Sequence, residues 1–141
     1  TDRKKELLKT SGGKYVAPNP IETMFKQDFL IEQIMVVGEG QKFVSALIVP
    51  AFANLTEWAK EHGIATTDKE ELIKHPKVIE KFEHTVQHYN ANFSHIEQIK
   101  KFTLLTEEWT IDGGELTPTM KLKRRAILQK LGNLIEKMYA E

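Results

Sequence analysis

The chain has 141 residues, 40% of them hydrophobic and 28% charged, and 20 Lys plus Arg balance 20 Asp plus Glu. That is enough chain for one domain with a real core, and zero net charge excludes a general nucleic-acid coat, so any basic function has to be local. No apolar run approaches the roughly 20 residues of a membrane span, and with no cysteine disulfides and thiolate metal sites are excluded.

The opening "TDRKKELLKT" lacks an apolar signal region, which fits a cytoplasmic protein. "ELLKTSGGKYVAP" predicts a short hairpin: Leu7 and Leu8 precede a glycine turn, Tyr15 and Val16 follow it. In "NPIETMFKQ" a helix is expected with Asn19 as cap, Pro20 at the first position and Glu22 in the first turn. "IEQIMVVGEGQKFVSALIVP" predicts a second hairpin, Ile34–Val37 against Phe43–Val49, ended by Pro50. Its nearly continuous apolar runs call for cover on both faces.

"ANLTEWAKEHG" predicts a helix capped by Asn54 and stopped at Gly63. "TTDKEELIKH" gives a short helix. "HPKVIEKFEHTVQHYNANF" gives a long one, with Val78, Ile79, Phe82, Val86, Tyr89 and Phe93 at helical spacing. "IKKFTLLT" is a strand, and "EEWTIDGGELTPTM", with two glycines, a proline and three threonines, is a loop. A last helix is expected from about Lys121–Lys123, burying Ile127, Leu131, Leu134, Ile135 and Met138. The sum is a small α/β (α+β) domain over residues 1–141: a few-stranded sheet packed by helices, with an N-terminal β-hairpin.

Several stretches could carry chemistry. "TSGGK" could offer backbone N–H groups to a phosphate, or be a plain hairpin turn. "MKLKRR" could neutralise phosphates, or be a solvated helix face. Four cations in five residues, Lys121, Lys123, Arg124 and Arg125, repel one another at the positive end of a helix dipole, so the run asks for an anionic partner. His84 and His88 have a metal-ligand spacing, but "HTVQH" has no glutamate and no third ligand follows, so no metal site is expected. Trp58 and Trp109 could stack on a ligand but better suit sealing helix and loop against the sheet. There is no "GxxxxGK[ST]", "GxGxxG", "GxSxG" or "HExxH", so an enzyme site would be largely missing and the chain reads as one domain of a larger protein.

"DRKKELLKTSGGKYVAPNPIE", "IEQIMVVGEGQKFVSALIVP" and "GELTPTMKLKRRAILQK" together resemble the C-terminal lid domain of adenylate-forming enzymes, and of long-chain fatty acid–CoA ligases (acyl-CoA synthetases) in particular. The resemblance runs from residue 2 to near residue 139, in family order. It implies a mobile domain that works against an N-terminal adenylation domain, which would hold the absent phosphate loop and the acyl and adenine pockets. The implied reaction joins fatty acid and ATP into acyl-AMP and then transfers the acyl group to CoA. Mg²⁺ would accompany the ATP, and no cofactor would belong to this domain alone.

By the same resemblance, Arg3 contacts the ribose end of the nucleotide and Lys5 falls at the hinge between the two domains. Ser11, Gly12 and Gly13 line the pantetheine path, and Lys14 holds that loop or reaches a CoA phosphate. Lys121 is the adenylation lysine; Met120 stands where many members have glycine. No nucleic acid is implied, and the full enzyme could sit peripherally at a membrane. The competing readings are a stand-alone module that uses the "KLKRR" helix on anionic lipid or nucleic acid, and a purely structural α/β domain. Zero net charge and the glycine hairpin argue against the former; the cationic run stays unexplained in the latter.

Overall fold

The computed structural model describes residues 7–66, 68–119 and 121–139, apart from the side chain of Met138. Arg3, Lys5 and Met120 therefore lie outside the described residues.

Two short strands, β1 (Leu8–Lys9) and β2 (Tyr15–Val16), pair antiparallel with Leu8 opposite Val16, as the glycine turn predicts. Helix α1 (Pro18–Phe25) follows, with Ala17 at its N-cap and Pro18 at its first position. Asn19 is thus inside the helix, and Glu22 lies beyond the first turn and is buried. The sequence offers two prolines two apart, and both suit a first turn whose N–H groups have no helical acceptor; tertiary packing selects the earlier start.

The main sheet has the order β3–β4–β5. Strand β3 (Ile31–Val37) runs antiparallel to β4 (Val44–Pro50), with Ile34 opposite Ile48. Strand β5 (Ile99–Leu104) lies parallel to β4 on its other side. Pro50 is the last residue of β4 rather than a stop beyond it.

Between β4 and β5 come α2 (Phe52–Glu61), α3 (Lys69–Lys74) and α4 (Pro76–Asn90). Ala51, not Asn54, caps α2; the Asn54 side-chain amide donates instead to the Phe29 carbonyl at 2.6 Å. Gly63 does end this segment, at φ +80°. His75 caps α4, its Nδ1 accepting from the Lys77 N–H at 3.1 Å. Phe93 lies past the end of α4 yet still packs on the core.

The expected last helix is two: α5 (Arg124–Lys130) and α6 (Gly132–Tyr139), broken at Leu131. Gly132 is a weak helix former at the break. Tyr139 closes the domain, its hydroxyl donating to the Phe43 carbonyl at 2.8 Å and its ring 4.9 Å from the Phe43 ring.

All seven residues of β4 are buried, and alternation sends them to two cores. Ile34, Val36, Val44, Ala46 and Ile48 join Ile21, Phe25, Leu55, Leu72 and Phe82 of α1 to α4. Met35, Val37, Leu47 and Val49 join Trp109, Leu116 and Ile127, with Leu131 and Ile135 at the margin. Each fully buried Leu, Ile or Phe contributes roughly 1.5–3 kcal/mol. Both sheet faces are therefore covered: α1 to α4 on one side, Trp109, Leu116 and Leu122 with α5 and α6 on the other.

Candidate functional site

The segment that reads as an open loop in the sequence is closed by its own hydrogen bonds. Thr110 starts the turn: its carbonyl accepts from the Glu115 and Leu116 N–H groups at 3.2 Å, and its hydroxyl accepts from Gly113 N–H at 2.8 Å. Gly114 takes φ +85° there, a region that glycine enters without steric cost. Leu116 then bridges Leu122 in antiparallel fashion. The Thr117 N–H donates to the Lys121 carbonyl at 2.8 Å, the Lys121 N–H to the Thr117 hydroxyl at 3.1 Å, and the Lys123 N–H to the Glu115 carbonyl at 2.7 Å. Lys121 is exposed near the tip of this hairpin, not in the first turn of a helix.

Two ion pairs hold the hairpin's roots. On one leg, Glu115 is buried and pairs with Lys130 at the end of α5, while its other oxygen accepts from the Thr110 N–H at 3.0 Å. The Lys130 contact, then the Thr110 N–H, hold the Glu115 carboxyl below the usual glutamate range. On the other leg, Arg124 opens α5 and grips Glu22 of α1 with both prongs, at 2.6 Å and 2.6 Å. It also donates to the Asn19 side-chain carbonyl at 2.9 Å. The second oxygen in this contact, Glu22 Oε2, also accepts from the Val36 N–H at 2.8 Å.

The cationic run therefore finds part of its anionic partner inside the molecule. Of the four cations, Arg124 is matched by Glu22, whereas Lys121, Lys123 and Arg125 are exposed. Lys121 lines a cleft of about 690 Å³ with Asn19, Thr23, Lys26, Glu32 and Arg124. Ser11, Gly12, Gly13 and Lys14 do not line this cleft.

That glycine loop is built on Thr10, whose carbonyl accepts from the Gly13 N–H at 3.0 Å and whose N–H donates to the Lys14 carbonyl at 2.9 Å. It is fastened to the β3–β4 turn: the Ser11 N–H donates to the Gln41 carbonyl at 2.9 Å and the Gly40 N–H to the Lys9 carbonyl at 2.8 Å. Gly13 sits at φ +85°, and a Cβ on Gly12 or Gly13 would meet nothing within 4 Å. The conformational need for glycine thus falls on Gly13, while at Gly12 the missing side chain leaves open space. All four residues from Ser11 to Lys14 are exposed.

The two tryptophans are structural. Trp109 is buried, its N–H and carbonyl both held by the Gln33 side-chain amide at 2.6 and 2.9 Å. Trp58 packs on the core and stacks on His62, with ring centroids 4.3 Å apart. His84 and His88 are exposed, and among the described residues no three His, Asp or Glu side chains gather as metal ligands. The sequence reading missed Glu22, Glu115 and Lys130 as parts of the site. Glu22 lies 102 residues from Arg124 and Glu115 lies 15 from Lys130, beyond any helical or strand spacing that a local pattern could register.

The family model of the AMP-binding enzyme C-terminal domain matches residues 5–141. The chain is 38% identical over 140 residues to a long-chain-fatty-acid–CoA ligase, FadD15, of Mycobacterium tuberculosis, covering 99% of this chain and 23% of the relative. It is 33% identical over 142 residues to human long-chain-fatty-acid–CoA ligase 1, covering 99% of this chain and 20% of the relative. Among solved structures, the adenylation domain of a carboxylate reductase from Mycobacterium chelonae superposes with a TM-score of 0.79 at 24% identity, over 99% of this chain and 20% of that one. The corresponding domain from Segniliparus rugosus, in complex with AMP and a co-purified carboxylic acid, gives 0.74 at 25% identity, over 98% and 20%. The chain spans about a quarter or less of the length of these relatives.

Proposed function

Because this chain belongs to the family of AMP-binding enzyme C-terminal domains, we propose that it serves as the C-terminal domain of an ATP-dependent long-chain fatty acid–CoA ligase. Its partner is the N-terminal adenylation domain of the same protein, and the substrates are a fatty acid, ATP with its Mg²⁺, and CoA. In the first step a carboxylate oxygen attacks the α-phosphorus and the bond to pyrophosphate breaks. In the second, the CoA sulfur attacks the acyl carbon and the bond to AMP breaks. The full enzyme works in the cytoplasm, with peripheral attachment to a membrane. No helix among the described residues is long and apolar enough to cross one.

The observation that carries this reading is Lys121, an exposed ammonium on a hairpin tied down at both roots. Adenylation brings two anions together. A lysine between carboxylate and polyphosphate offsets their repulsion and stabilises charge developing at the α-phosphate. A compact, flexible point charge suits a group that enters and leaves a site on another domain. The exposed loop Ser11, Gly12, Gly13 and Lys14 is assigned to the second step, in which the domain turns and CoA threads past the glycines. Arg3 is assigned to the nucleotide ribose and Lys5 to the hinge.

An anion-binding module acting through the basic helix is less well supported, since Arg124 and Lys130 are engaged by Glu22 and Glu115. The test is Lys121→Ala in the protein with its N-terminal domain. Adenylation is expected to fall roughly 10²- to 10³-fold, as for other single electrostatic donors. Thioester formation from pre-made acyl-AMP is expected to persist. Retained adenylation, or equal loss in both half-reactions, would remove Lys121 from this role.

A further inference from the structure

Resting on the assignment of Lys121 to adenylation, we infer that Glu22 is a positioning residue for that lysine, acting through Arg124. The Glu22–Arg124 contact is more than a surface ion pair. Its side chains are only 8% and 12% exposed, and the two guanidinium prongs meet both carboxylate oxygens. Glu22 is itself fixed by the Val36 N–H, so the carboxylate is anchored to the edge of β3. Arg124 is the first residue of α5 and Lys123 its N-cap. The rigid sheet thus sets where α5 begins, and the chain from that point back to Lys121 is only three residues long.

The opposite leg of the hairpin has its own anchor, Glu115 on Lys130. Between the two anchors, the bonds of Thr117 with Lys121 and of Lys123 with Glu115 tie the two legs of the hairpin together. A buried ion pair generally adds little stability over an apolar pair of the same size, so its usefulness lies in geometry. A bidentate arginine fixes both distance and angle, which a lysine in its place does not. A displacement of the reacting charge by about 1 Å is enough to cost a rate factor on the order of 10².

The experiment uses the protein with its N-terminal domain and compares Arg124→Lys, Glu22→Gln and Lys121→Ala in both half-reactions. Arg124→Lys keeps the charge and loses the fork. It and Glu22→Gln are expected to lower kcat for adenylation roughly tenfold or more, with KM for ATP and the rate from pre-made acyl-AMP within about twofold. Unchanged adenylation, or both half-reactions falling together, would overturn the proposal. If Lys121→Ala leaves adenylation intact, the assignment of Lys121 fails first, and the role of Glu22 with it. Amide hydrogen exchange gives a readout without catalysis. In Arg124→Lys, the Thr117 and Lys123 amides should exchange roughly tenfold faster while β4 amides keep their protection. Unchanged Thr117 exchange, or equal acceleration in β4, would leave the pair a purely structural contact.

Discussion

Glu115 gives a pH handle on the hairpin. Its carboxyl titrates below the usual range because Lys130 and the Thr110 N–H favour the charged form. A lowered folded-state pKa contributes stability that is full above the ordinary glutamate range and fades as pH falls through the lowered value. Glu115→Gln is therefore expected to melt below the parent protein near pH 7, with the gap narrowing as pH falls below the ordinary glutamate range and through the lowered value; a gap constant with pH would mean that shape, not charge, matters at this position. The two loop glycines separate in the same way. Gly13→Ala must hold φ +85°, costing about 1–2 kcal/mol, whereas Gly12→Ala should leave the melting temperature unchanged, and equal melts for the two would contradict the turn geometry. At this scale the sequence displays local patterns and hides long-range pairs. Lys121, Gly12 and Gly13 stand out by their neighbours, and Glu22 does not, because only the tertiary fold brings it to Arg124.

The start of β5 shows how single side chains finish elements. The Asn90 amide, at the end of α4, accepts from the Ile99 N–H and donates to the Ile99 carbonyl, both at 2.9 Å. Asn90→Ala leaves that backbone pair without its partner at a partly buried position. The loss is expected to be about 1–3 kcal/mol, read as a shifted midpoint in chemical denaturation; a shift near zero would mean that water replaces the amide. The existence of most elements was legible: both hairpins, the long α4 and the strand at β5 follow from apolar spacing and turn residues, whereas the Leu116–Leu122 bridge was not. Element ends were not. Asn19 and Asn54 look like caps in the sequence, yet their side chains go to Arg124 and to the Phe29 carbonyl, long-range acceptors and donors that outcompete a local turn. The single helix read from residue 121 onward breaks at Leu131, where the apolar stripe continues across the break and so conceals it.

For the whole molecule, two cores around one three-stranded sheet, each assembled from several elements, support independent folding. The chain expressed by itself is expected to unfold in one cooperative transition and to form no acyl-CoA from ATP, CoA and palmitate. Turnover by the isolated chain would overturn the proposed division of labour with an N-terminal domain. Two-sided cover of the sheet was readable from the unbroken apolar runs of β3 and β4, whereas the identity of the covering layers depends on chain crossings that no local pattern encodes. The side-chain contacts along the outer strands carry one more consequence. Val36 of β3 gives its outward N–H to Glu22, and Ile99 of β5 gives both its polar groups to Asn90. Open sheet margins invite neighbouring molecules to add strands and grow into aggregates. With a carboxylate seated on one margin and a carboxamide on the other, a second copy finds fewer groups to pair with, so the concentrated domain should scatter light as a monomer, and a doubly substituted Glu22→Ala/Asn90→Ala chain should be the one that associates.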